Sequence, residues 1–268
     1  MLAKLKREAG GQPAPLAAML QTIDASAAGL SSGSERDRLN ALWAGSGGAF
    51  CRDAIGGRYP LLRSAGKEVT ADDFGKFFAP GGLVDDFFQK NLVQYVDMGA
   101  KQWRWRSTAQ DASLGISQSV LDGFQRAARI RDAYFGGGGK QPSMRFDLKP
   151  LSVDASLNKS LLDIDGQQLV YLPNTALHAT GFQLPSGKGG GQVRFETTPA
   201  GSAWHTEGNW AWLHMIDKGT LEATAQGERY KLSFDFEGKK AVFELTASSV
   251  INPFRRDMLE QFRCADNL

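Results

Sequence analysis

Proton or metal chemistry would have to begin at the three histidines, His178, His205 and His214. A catalytic zinc site needs three protein ligands, and its helical form sets two histidines four residues apart. The spacing here fits no such motif. His205 follows Trp204, and His214 lies in GNWAWLHMID (208–217); both read as surface or half-buried residues of strands. Nucleophilic catalysis has no better start, since no Gly-x-Ser-x-Gly is present and no cysteine–histidine pair is suggested. The paired carboxylates Asp72-Asp73 and Asp85-Asp86 stand where helices are expected to begin, and there negative charge complements the helix dipole. GGGGK (136–140) is similar to a phosphate-binding loop, but no serine or threonine follows Lys140 and the loop follows a helix instead of preceding one. KQWRWRST (101–108) alternates Trp103 and Trp105 with Arg104 and Arg106, the composition of a nucleic-acid stacking strip. A net charge of +2 supplies no wider basic field, so a short edge strand with one tryptophan packed inward is expected. No cofactor, no metal and no nucleic acid is expected.

Positioning such residues falls to a chain of 268 residues, 42% hydrophobic and 22% charged, long enough for two domains. No run of about eighteen apolar residues is present, so no membrane span is expected within the chain. MLAKLKREAGGQPAP has charges but no apolar segment after them, so it is not read as a signal peptide. The chain is then either cytoplasmic or a fragment with its targeting segment upstream. Cys51 and Cys264 are too few for a disulfide framework or a thiolate metal site. Two readings stay open: two unpaired, partly buried thiols, or a bond tying the chain's end to its helical half. Closing so long a loop contributes on the order of 4–5 kcal/mol in the chain-entropy model.

The centre of the chain is Phe77 to Phe88, FFAPGGLVDDFF. Thr70 and Asp73 form a capping-box pattern at the start of one short helix, and Pro80 ends it. Gly81 and Gly82 allow a tight joint, and a second helix carries Leu83, Phe87, Phe88, Leu92 and Tyr95. Before this stretch, residues 1–13 read as a flexible leader and Leu16–Ala25 as a short helix. After the linker GLSSGS, a helix from about Glu35 to Ile55 is capped by Ser34 and weakened by GSGG (45–48), which marks either a break or a close approach of another helix. RYPLLRS (58–64) reads as extended. Ser117 to Tyr134 is the longest amphipathic helix. Beyond Pro142 the period changes to alternation: SMRFDLKP, a hairpin around Asp165-Gly166, GQVRFETT, GNWAWLHMID, and a hairpin around Glu237-Gly238. Asn252 and Pro253 open a last helix. The expected fold is α+β and multidomain: a helical domain over 1–139, an antiparallel β-sandwich over 140–250, and a C-terminal helix and tail over 251–268. Trp204, Trp210 and Trp212 could line a sugar-binding face, form sandwich core, or belong to a docking patch. FQLPSGKGGG (182–191) is a long glycine-rich loop whose Phe182 and Leu184 either meet a partner or anchor the loop.

CRDAIGGRYP (51–60), DDFGKFFAPGGLVDDFF (72–88), INPF (251–254) and FRC (262–264), in this order, resemble the C-terminal region of the IcmF/TssM family, over about residues 40–268. The resemblance implies a non-enzymatic, periplasmic part of an inner-membrane protein, the core component of the type VI secretion system. It implies docking to a small TssJ-like outer-membrane lipoprotein, and contacts with self and other membrane-complex subunits in the full-length protein. It also favours a targeting segment upstream. The β-domain loops 182–191 and 199–209 are the expected docking surface, with Phe182, Leu184, Lys188, Trp204 and His205 as contact residues. The rival reading is a β-sandwich that binds carbohydrate or peptidoglycan and carries a helical appendage.

Overall fold

The structure is a computed structural model that describes residues 33–106, 114–188, 190–198, 203–249 and 251–268, with residues 19 and 22. The expected leader, most of the Leu16–Ala25 helix, most of the GLSSGS linker and the tip of the 199–209 loop lie outside the described residues.

Helix α1 runs through residues 33–55 and contains two π turns, Ala44–Gly48 and Cys51–Ile55. The GSGG segment is not a break but a π turn that continues the helix, and the Leu83–Phe87 helix approaches it closely. A Cβ on Gly47 would stand 2.3 Å from the Trp43 ring. The glycines thus make room for the helix's own tryptophan, which meets Phe87 and Phe124 edge-on at 5.0 and 5.3 Å. Helix α2 is Ala71–Phe78, and Thr70 Oγ1 accepts from the Asp73 amide at 3.0 Å. The Thr70 hydroxyl also donates to the Asp73 carboxylate, so the two side chains close the cap together. Gly81, at φ +66°, turns the chain into α3, Leu83–Phe87, which continues through a π turn at Phe88–Leu92. Strands β1 (Val96–Asp97) and β2 (Arg104–Trp105) pair briefly, and α4 spans Gln118–Tyr134 with Ser117 as its cap.

The remaining strands form two antiparallel sheets. One has the order β6 (Thr180–Leu184), β3 (Met144–Val153), β11 (Lys239–Ala247), β10 (Arg229–Phe236), β9 (Thr220–Ala223). The other has the order β5 (Gln167–Tyr171), β4 (Lys159–Ile164), β7 (Gln192–Thr198), β8 (Ala203–Glu207). Both expected hairpin turns have positive φ at both central residues, Asp165-Gly166 and Glu237-Gly238, the backbone that matches strand twist. Pro150 lies in an inner strand, beyond the last residue that β6 pairs, where the β3–β11 register shifts. Such bulges are where a sheet tolerates proline.

GNWAWLHMID is not a strand. Ala211–Asp217 is helix α5. Ala211, Trp212, Leu213, Met215 and Ile216 are all buried, so no polar face gave away the helical period. α5 joins β8 to β9, the edge strands of the two sheets, and packs against both. The C-terminal helix is also shorter than expected: α6 is Arg256–Glu260, and Asn252 Oδ1 caps the preceding turn by accepting from the Phe254 amide. One contiguous apolar core joins helices and sheets. Phe74 of α2 lies 5.0 Å from Trp210, and Phe146 of β3 stacks on Trp212 at 5.2 Å.

Candidate docking face

The glycine-rich loop between β6 and β7 is shaped by a residue far from it in sequence. Asp165, in the β4–β5 turn, is 2% exposed. Its Oδ2 accepts from the Ser186 amide at 2.6 Å and its Oδ1 from the Gly191 amide at 2.8 Å. The Ser186 hydroxyl donates to the Asp165 carbonyl and accepts from the Lys188 amide. A buried carboxylate satisfied by amides holds a loop in one shape, because each lost bond would leave a polar group without water. Sequence reading took Asp165 only as a turn residue and missed this role. Gly191, at φ +76°, lies so close to Gly208 that a Cβ would be 3.0 Å from its carbonyl oxygen. The 185–191 loop and the 207–209 segment therefore meet as one rim.

Glu68 continues the rim from the helical half. Its Oε1 is 2.6 Å from His214 Nε2, and the His214 ring stacks on Tyr59 at 3.9 Å. Tyr59 donates to Asp217 Oδ2 at 2.8 Å, and Arg256 donates to the same oxygen at 3.1 Å. Burial holds the Tyr59 phenol well above the ordinary tyrosine range, partly offset by the positive charge of Arg256. It is a fixed donor, and the cluster ties α5 to the 58–69 segment. Among the described residues, no three histidine, cysteine, aspartate or glutamate side chains gather as a metal would need.

Phe182 and Leu184 are core residues: Phe182 is 3% exposed and stacks on Phe146 at 5.5 Å. They anchor β6, and the expectation that they meet a partner is corrected, since the inward face of an edge strand offers nothing outside. Lys188 is exposed on the pinned loop. Trp204 is half-buried, packed on Phe236 at 4.4 Å, with the Lys218 ammonium 6.0 Å from its ring. His205 points to the opposite face, 3.6 Å from Glu207 and across from Arg194. Trp210 and Trp212 are each 1% exposed, so the three tryptophans cannot form a sugar platform. Trp103 stacks on Phe88 at 4.9 Å, and Trp105 donates to the Ser117 carbonyl, which removes the stacking strip. Cys51 and Cys264 are bonded to each other.

Residues 146–249 match the family model for the type VI secretion protein IcmF C2-like domain. The chain is 38% identical to the type VI secretion system component TssM1 of Pseudomonas aeruginosa over 261 residues, covering 96% of this chain and 24% of that protein's length. Its fold is similar to the C-terminal domain of the TssM protein from EAEC, with a TM-score of 0.73 at 19% identity, over 87% of this chain and 98% of that one. It is similar also to a chain of a type VI secretion system membrane core complex, with a TM-score of 0.71 at 20% identity, over 87% of this chain and 48% of that one. The ordered motifs, the C2-like β half and the fold lead to one conclusion: the chain belongs to the IcmF/TssM family of type VI secretion system membrane-complex proteins.

Proposed function

We propose that this chain is a non-catalytic periplasmic scaffold of the secretion system's membrane complex, and that its β half docks a TssJ-like outer-membrane lipoprotein. The observation that carries the reading is the rim of 185–191 and 207–209, held in shape by the buried Asp165 carboxylate. A preformed loop loses little conformational entropy on binding, which favours affinity over a small contact. The Cys51–Cys264 bond supports the compartment, because structural disulfides persist where the environment is oxidising. Lys188 and His205 are the exposed members of the expected contact set. The test measures the affinity of the lipoprotein's soluble domain for this chain and for Lys188→Glu and His205→Ala. Weaker binding by Lys188→Glu supports the rim. Equal affinity for all three moves the contact elsewhere, and no binding by the unaltered chain refutes the docking role.

A further inference from the structure

The end of the chain, residues 261–268, runs without regular structure along the helical half. Its polar holds are few. Trp43 Nε1 donates to the Ala265 carbonyl at 2.8 Å, the Leu268 amide donates to Asn40 Oδ1 at 2.6 Å, and Arg126 donates to the Gln261 carbonyl at 3.0 Å. Its apolar holds are Phe262, edge-on to Phe78 at 5.0 Å, and Leu268, 9% exposed. The other six residues are polar or small. Beneath it lies a cavity of about 20 Å³ floored by Trp43, Val84 and Phe124. The covalent hold, Cys264 to Cys51 of α1, stands between the two apolar ones.

The segment just upstream is tied down separately. Phe254 packs edge-on to Phe146, the Asn252 amide donates to the Glu228 carbonyl, and Arg256 pairs with Asp217. Letting go of 261–268 therefore removes none of the contacts that join 252–260 to the sandwich.

We infer that the Cys51–Cys264 bond is a latch on a separately releasable strap: its reduction frees residues 261–268 and bares Trp43 and Phe124, while the sandwich stays folded. Cys51 is 0% exposed and Cys264 is half-buried. A dithiol reductant thus attacks the Cys264 sulfur, and the Cys51 thiolate leaves. The reductant's second thiolate then displaces Cys264. Two electrons and two protons pass to the protein, giving two thiols, and the reductant closes its own disulfide. The reverse reaction, oxidation by a disulfide-bearing oxidant, is the step that fastens the strap once α1 and the chain's end have met.

Hydrogen exchange read by mass spectrometry tests this on the whole chain, oxidised and treated with dithiothreitol, with the Cys51→Ser/Cys264→Ser variant as a reductant-free control. The expected result is exchange at least about tenfold faster over 261–268, with β10 and β11 unchanged. Trp43 fluorescence should become more accessible to acrylamide in the same samples. Unchanged exchange over 261–268 would show that packing alone holds the strap. Equal acceleration in β10 and β11 would show that the bond holds the whole fold. Either result overturns the inference.

Discussion

Asp165→Asn is the sharpest probe of the proposed docking rim. Among the described residues the carboxylate accepts from the Ser186 amide at 2.6 Å and the Gly191 amide at 2.8 Å, and Asp165 is 2% exposed. A hydrogen bond to a charged group contributes about 1.5–3 kcal/mol. Asparagine retains one acceptor oxygen and turns an NH₂ toward the other amide, so one bond is lost and a donor is left facing a donor. Relief of the buried charge offsets part of this, and the net loss should be about 2 kcal/mol. Asparagine tolerates the φ of +53° at this position, so turn strain adds nothing. The turn also keeps its own support, since Asp163 Oδ1 accepts from the Gly166 amide at 2.9 Å. Asp165→Ala loses the carboxylate's bonds altogether and sets at positive φ a residue that tolerates it less well than aspartate or asparagine, so it should cost more than Asp165→Asn. Urea denaturation followed by tryptophan fluorescence gives the stabilities, and amide exchange at Ser186 and Gly191 reports the loop. Lipoprotein affinity should fall with loop protection. If Asp165→Asn lies within about 0.5 kcal/mol of the parent and both amides stay protected, the carboxylate does not shape the loop and the argument fails.

Two further outcomes follow from the packing. Gly75→Ala would place a Cβ 2.0 Å from the Lys140 carbonyl oxygen, in a loop held by Lys140 on Pro80 and Gln141 on Asp72, and should cost about 2–3 kcal/mol. Gly123→Ala, on α4 with open space around it, should instead stabilise by roughly 0.5–1 kcal/mol; thermal melts that fail to show opposite signs refute this. At alkaline pH, Tyr59 and Tyr134 are both held above the ordinary tyrosine range, chiefly by burial. The folded chain keeps protons that the unfolded chain releases near pH 10. Stability is therefore full below about pH 10 and falls above it, by up to ~1.4 kcal/mol per pH unit for each phenol. Tyr59→Phe should flatten that limb, and a denaturation midpoint that stays level from about pH 9 to 11 would contradict the assignment.

What the sequence disclosed was local. The Thr70 cap and both hairpin turns are each written within four residues, and each formed as read. What it hid has two physical sources. Trp212, Leu213, Met215 and Ile216 are buried from several sides at once, so α5 has no polar stripe, and its apolar run fitted a strand equally well. The other source is distance along the chain. Asp165 looked complete as a turn residue, and nothing near it pointed to amides 21 and 26 residues away. Cys51 and Cys264, 213 residues apart, left bonding open for the same reason. Phe182 and Leu184 show the reverse error: apolar residues beside a glycine-rich loop read as reach, and they are the anchor that lets the loop stand.

α5 explains how a rim on the β half can brace a helical half. Sandwich edges are normally free strands, open to pairing and to slippage. Here the β8 and β9 edges are joined by a helix with one tryptophan at its N-cap and one in its first turn, facing opposite ways. Trp212 stacks on Phe146 inside the sandwich, while Trp210 meets Phe74 and donates to the Val69 carbonyl at 2.7 Å on the helical side. His214 adds its bond to Glu68 beside Gly208, at the foot of the rim. The rim is therefore connected to Phe74 and the aromatic centre of α2 and α3 through packed rings. Two of the largest fully buried side chains, Trp210 and Trp212, are placed along that path, and they give the two halves a continuity of packing that needs no cleft.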